Sequence, residues 1–295
     1  MAERAGVPLD VAMELWRLLG FPHAEEGQPA FTSADVDALR RTAELRQLGV
    51  LSPDRQAALV RTWGRSFARL ADWQTSLLGD VARERGGDDV DDLLDLAVQV
   101  LPLVEELQTY VWRRHLASAT SRVLTVAGAT AVPMAVGFVD IVGYTARSKT
   151  LTEGELVELV EEFEDACTDV VVEHHGRVIK NLGDAVLFTC DHAADAARVA
   201  LELLELSEDP EEPFPDVRAG LAYGDVVARL GDVFGPTVNI ASRLTSVARP
   251  CTILVDEGAA AELDGVPGFD LHRMRRTSVK GYARLQPYRL RAAGS

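Results

Sequence analysis

Over the first 122 residues, apolar side chains recur at the three- and four-residue spacing of helices buried on one side. Leu9, Met13, Trp16 and Leu19 form one such stripe and predict a helix over Leu9–Leu19. Thr32 and Ser33 are N-cap residues for a second helix ending at Gly49, with Val36, Leu39 and Ala43 inward. Ser52 followed by Pro53 opens a third helix, which carries Val60, Trp63, Phe67, Leu70 and Leu77 and ends near Gly79. Arg85-Gly86-Gly87-Asp88 breaks the chain. A fourth helix then runs to about Leu116, bent at Pro102. This half is predicted to be all-α, and no motif in it carries chemistry.

Near residue 120 the period changes, and strands alternate with helices. A buried strand near 134–140 delivers Asp140 to a glycine-containing turn. A helix follows from about Thr152 to His174, its early acids Glu153 and Glu155 suited to the positive helix start. Strands at Arg177–Lys180 and Asp184–Thr189 flank a tight turn at Leu182-Gly183, and a helix covers Ala193–Leu206 before an acidic loop to Pro215. Val217–Tyr223 and Val226–Leu230 flank Gly224-Asp225, which reads as a hairpin turn. A helix begins at Pro236-Thr237, and strands at Thr252–Val255 and Gln286–Leu290 surround a short helix at 256–262. The order is β-α-β-β-α-β with extensions, an α/β (α+β) layout of ferredoxin-like type preceded by an all-α domain. The expected domains are 1–122 and 130–295, with a linker over about 110–131.

Composition narrows the class. At 295 residues the chain suits two domains, and 47% hydrophobic residues support a packed core. The net charge of −16 opposes a general nucleic-acid binder or an anionic-lipid binder. It also disfavours reading the short first helices as a DNA-binding helix-turn-helix. Cys167, Cys190 and Cys251 form no CxxC pair and read as reduced, packed thiols of a cytoplasmic protein. The start of the chain has no basic stretch followed by an apolar core, so no secretory leader is expected. The uncharged run Val123–Val139 contains Pro133 and falls short of the roughly 20 residues of a membrane span.

The chemistry concentrates in two carboxylates. Asp140 and Asp184 each end or begin a predicted strand beside a glycine turn, a placement that suits two divalent cations and a polyphosphate. The turn Ile141-Val142-Gly143-Tyr144-Thr145 runs towards a helix and can offer backbone N–H groups to phosphates. Asn239 and Arg243 are one helical turn apart and share a face.

Three blocks carry a resemblance. They are Phe138-Val139-Asp140-Ile141-Val142-Gly143-Tyr144-Thr145, Lys180-Asn181-Leu182-Gly183-Asp184, and the run from Gly231-Asp232 through Asn239 and Arg243 to Leu244. In this order they resemble the palm-type catalytic domain of class III nucleotidyl cyclases, over about residues 130–291. The resemblance implies that Asp140 and Asp184, with Ile141 beside them, bind two Mg²⁺ or Mn²⁺ ions. It implies that Lys180 and Asp232 read the base. An ammonium and a carboxylate complement the adenine edge, so ATP is the expected substrate. Asn239 is expected to orient the ribose, and Arg243 to neutralise charge on the α-phosphate in the transition state. Lys280 resembles a late lysine that contacts the triphosphate in some cyclases.

The resemblance further implies a head-to-tail homodimer with two composite sites, because one chain holds each residue set once. The first 122 residues are expected to be a regulatory, inhibitory module, similar in layout to that of a soluble bacterial subgroup that responds to pH. Candidate proton-sensing groups are His23, His115, His174 and His175, and an apolar ligand between the N-terminal helices is an alternative signal. The competing readings are a guanylyl or dual-specificity cyclase and a non-catalytic nucleotide sensor.

Overall fold

The computed structural model describes residues 1–21, 31–48, 52–84, 90–125, 131–208, 214–229, 231–279 and 282–294. Gly49, the Arg85–Asp88 break, His23, Lys280 and residues 126–130 of the expected linker lie outside them. The chain divides into two compact units, Met1–Thr125 and Val126–Ser295.

The first unit consists of helices α1 (Ala2–Ala5), α2 (Leu9–Leu19), α3 (Ser33–Gln47), α4 (Pro53–Glu84) and α5 (Val90–Thr125). Helix α2 keeps the expected bounds but buries a different stripe. Ala12 and Leu15 are inside, whereas Leu9 and Met13 are exposed. Helix α2 meets α4 at close range over Gly64, where a Cβ would stand 2.5 Å from the Leu19 carbonyl oxygen. Val36 and Leu39 of α3 are buried, and Thr32 hydrogen-bonds Asp35 at the start of the helix. Helix α4 does not stop at Gly79, and α5 does not stop at Leu116. A lone glycine costs a helix only about 1 kcal/mol, which continuous apolar and i,i+4 neighbours outweigh.

The second unit contains β1 (Val132–Ile141), α6 (Tyr144–Arg147), α7 (Glu153–Glu173), β2 (Arg177–Asn181), β3 (Ala185–Cys190), α8 (Ala193–Glu208), β4 (Val217–Arg229), β5 (Asp232–Phe234), α9 (Pro236–Val247), β6 (Ile253–Val255), α10 (Glu257–Leu263), β7 (Phe269–Arg273), β8 (Thr277–Val279), β9 (Tyr282–Leu285) and β10 (Tyr288–Ala292). The main sheet runs β2-β3-β1-β4-β6-β10-β7, with β5 paired to β4, while β8 and β9 pair separately. Its β2-β3-β1-β4 part, with α7 and α8 as the two crossovers, is the ferredoxin-like core expected from the element order.

One predicted turn is absent. Gly224 and Asp225 lie inside β4, opposite Met134 and Pro133 of β1. The two predicted strands are one 13-residue strand, because β1 offers it a continuous ladder. The reversal comes later, where β5 folds back on β4 and pairs Asp232 with Arg229. Helix α7 starts with a full capping box between Thr152 and Glu155.

The sheet is covered on both faces. Ala135, Val139 and Ile141 of β1 pack with Phe163 and Cys167 of α7 and Ala197 and Leu203 of α8. Met134 and Val136 pack with Leu187, Ala222, Val226 and Ala241, the last from α9. Gly137 faces Phe188 so closely that a Cβ there would stand 2.2 Å from the ring. Cys167 and Cys190 are buried, and burial pushes both thiols up, Cys190 to about 12, so neither is a reactive thiolate near neutrality. Among the described residues no helix is long and apolar enough to cross a membrane.

Candidate active site

Strand β1 is central, so its apolar run is buried until the chain reaches Asp140 at its end. Strand alternation puts Asp140 on the face of Val136 and Phe138, the face covered by α9. Asp184 sits in the hairpin turn between β2 and β3, where the Leu182 N–H donates to the Ala185 carbonyl at 2.7 Å and Gly183 has φ 82°. The Ile141 N–H donates to the Asp184 carbonyl at 2.8 Å. The backbones of the two aspartates are thus tied at adjacent strand ends.

Asp140 also has a partner that the sequence motifs did not indicate. Arg218 of β4 donates to its Oδ2 from Nε at 2.6 Å. Burial pushes the Asp140 carboxyl up. The Arg218 hydrogen bond and charge pull it down, the Asp184 carboxylate pushes it up, and the net result lies above the ordinary value. Arg218 was visible only as an arginine inside the apolar run Val217–Tyr223. Nothing in the sequence says that β4 lies beside β1 with Arg218 opposite Asp140.

The turn after β1 has Gly143 at φ 72°, before the short helix α6. The Val142 N–H donates to the Asp216 carbonyl at 2.8 Å. Ile141 and Val142 therefore spend their amides within the fold, and the expected phosphate donors narrow to Gly143, Tyr144 and Thr145.

Lys180 and Asp232 meet. Lys180 Nζ lies 2.6 Å from Asp232 Oδ2, and Asp232 Oδ1 accepts the Val233 N–H at 2.8 Å. Partial burial pushes the Asp232 carboxyl up, but the Lys180 ammonium and the Val233 amide outweigh it and hold it below the ordinary value. Lys180 pairs in register with Leu187, on the α9 side of the sheet. Among the described residues, no hydrogen bond or ion pair joins Lys180 or Asp232 to the Asp140–Asp184 pair.

Helix α9 follows Gly235 at φ 139° and opens with Pro236. Thr237 Oγ1 donates to the Asp225 carbonyl at 2.9 Å, and Ala241, Leu244 and Thr245 are buried beneath the helix. This seating leaves Asn239 exposed and Arg243 half-buried. Lys280 lies outside the described residues.

Among the described residues, no group of three or more His, Cys, Asp or Glu side chains could hold a metal ion. The Asp140–Asp184 pair, the candidate from the sequence, offers oxygen donors alone. Such a donor set fits a hard divalent cation that takes its remaining ligands from water and phosphate, the habit of Mg²⁺ and Mn²⁺.

The ferredoxin-like sheet, with its acidic strand ends beneath α9, defines a palm-type catalytic domain. Residues 129–292 match the adenylate and guanylate cyclase catalytic domain. An adenylate cyclase of Streptomyces coelicolor is 42% identical over 89% of this chain and 70% of its own length. A pH-sensitive adenylate cyclase of Mycobacterium tuberculosis is 28% identical over 97% of this chain and 76% of its own. The catalytic core of a rhodopsin-guanylyl cyclase with converted specificity, solved in complex with ATPαS, shares the fold with a TM-score of 0.51. It is 24% identical over 55% of this chain and 96% of that one. The chain belongs to the class III nucleotidyl cyclase family.

Proposed function

We propose that this chain is an adenylyl cyclase that converts ATP to 3′,5′-cyclic AMP and pyrophosphate. The observation that carries the reading is the juxtaposition of Asp140 and Asp184 at adjacent strand ends. Relatives named adenylate cyclase over most of their length support ATP as the substrate, as does the Lys180–Asp232 pair.

In the reaction, the ribose 3′-hydroxyl gives its proton to solvent as its oxygen attacks the α-phosphorus, the bond from that phosphorus to the bridging oxygen of the β-phosphate breaks, and pyrophosphate leaves. Asp140 and Asp184, with Ile141 beside them, would hold two Mg²⁺ or Mn²⁺ ions, which would supply charge neutralisation and lower the pKa of the 3′-hydroxyl. Lys180 and Asp232 hold the adenine edge. The Gly143, Tyr144 and Thr145 amides, with Lys280, hold the triphosphate. Asn239 orients the ribose, and Arg243 meets the charge that develops on the α-phosphate. The two residue sets come from different chains of a head-to-tail homodimer, so each site is composite.

Residues 1–122, joined through about 110–131 to the catalytic domain 130–295, act as an inhibitory module that sets the placement of the two catalytic halves. A proton or an apolar ligand is the signal. The likeness to the Streptomyces coelicolor and pH-sensitive relatives reaches into this half, which supports the reading.

The test is cyclic AMP formation by the full chain with ATP and Mn²⁺ at pH about 5.5, 6.5 and 8, beside Asp140→Ala. We expect activity that the substitution lowers at least about 1,000-fold. Equal activity in the full chain and in Asp140→Ala overturns the reading, as does absence of activity from both the full chain and residues 124–295. The inhibitory role predicts that residues 124–295 are more active than the full chain somewhere between about pH 5 and 8. Equal or lower activity from a truncated chain that still dimerises removes that role.

A further inference from the structure

Two nitrogens of one guanidinium hold a single oxygen of Asp140. Arg218 donates to Oδ2 from Nε at 2.6 Å, and a terminal guanidinium nitrogen lies 2.5 Å from the same oxygen. The two residues stand directly opposite in the β1–β4 ladder. Strand register, not a loop, therefore sets the contact. Asp140 is only 15% exposed and Arg218 32%, so water screens the pair weakly. On the other side of β1, the Asp184 carbonyl accepts the Ile141 N–H at 2.8 Å, which ties a second carboxylate-bearing residue to the same strand end. Without Arg218, this corner would be a pair of like charges that draws cations unaided. With it, half of that charge is already answered.

We propose that Arg218 is a positioning residue that competes with the divalent cation for Asp140 Oδ2. A guanidinium and a divalent cation repel each other at such range, and one carboxylate oxygen cannot serve both at full strength. Arg218 thereby lowers the standing affinity of the site for metal. Tight metal binding waits for a polyphosphate, whose negative charge offsets both cations. The proposal rests on the reading of Asp140 as a metal ligand.

The experiment measures Mn²⁺ binding by the full chain without nucleotide, from the loss of the free-ion electron paramagnetic resonance signal. Arg218→Met keeps the length and apolar stem of the side chain and removes its charge. Its Mn²⁺ affinity is expected to rise about tenfold or more. Damage to the fold would weaken metal binding, so a gain cannot come from a merely structural role. Arg218→Lys keeps the charge and is expected to stay within about threefold of wild type. An unchanged or weaker affinity in Arg218→Met overturns the proposal, as does an equal gain in Arg218→Lys. Asp140→Asn is expected to lose the Mn²⁺ site. Wild-type affinity in that variant would sink the assignment of Asp140 as a ligand, a failure distinguishable from that of Arg218 alone.

Discussion

Asp256 illustrates how burial and hydrogen bonding contend at one side chain. It caps α10: its Oδ1 accepts the Ala259 N–H at 2.8 Å and the Tyr223 N–H of β4 at 3.1 Å. Burial nonetheless wins and pushes the carboxyl above its ordinary 3.8, despite these amides and those of Gly258 and Asp256 itself. The fold thus favours the protonated acid. Its contribution to stability is full below the ordinary value and is lost as pH rises through the raised one. Asp256→Asn keeps the Oδ1 acceptor and cannot ionise. In urea unfolding it should lose this share of the pH dependence and remain within about 1 kcal/mol of wild type at neutral pH. Asp256→Ala should cost about 1–2 kcal/mol, because a helix cap and an interstrand tie go together. An undiminished pH slope in the Asn variant would refute the account.

At the scale of elements, the seating of α9 on the sheet decides whether Asn239 and Arg243 reach their places. Gly220 of β4 lies under that helix, where a Cβ would stand 2.3 Å from the Thr245 amide nitrogen and 2.5 Å from the Ala241 carbonyl oxygen. Both neighbours are backbone and cannot rotate away. Thr245 Oγ1 is already committed to the Ala241 carbonyl at 2.9 Å. Gly220→Ala must therefore lift α9 or bend β4, at a cost of about 1–3 kcal/mol in unfolding free energy. If Arg243 meets the α-phosphate as proposed, a lift of even about 1 Å would misplace it, so the rate of cyclic AMP formation should fall on the order of 100-fold. Full activity in a protein of normal stability would contradict this seating.

At the scale of the whole molecule, the proposed homodimer predicts complementation. Asp140→Ala damages the metal set of one chain, and Arg243→Ala damages the transition-state set. A mixed dimer then holds one site with both lesions and one intact site. Random pairing of equal amounts makes half the dimers mixed, so the mixture should recover roughly a quarter of wild-type activity. Each variant alone should stay near background. If the mixture does no better than its parts, the sites are not composite.

Local chemistry is what the sequence alone determined. The Thr152 capping box, the Gly183 turn, the bounds of α2 and the β-α-β-β-α-β order all follow from neighbours a few residues apart. Asp140 and Asp184 were legible as candidates because each breaks an apolar run beside a glycine. The tertiary structure decided what depends on register and crossing. It made β4 continuous through Gly224, because β1 supplies a partner for every residue from Val217 to Val226. It turned α2 so that Ala12 and Leu15 face inward, because Leu39 and Val60 of the neighbouring helices complete the cluster there. It also brought Arg218 to Asp140 from 78 residues away. Periodicity says which side of a strand is buried, but not which strand lies beside it. Long-range pairing is settled only when the sheet closes around its core.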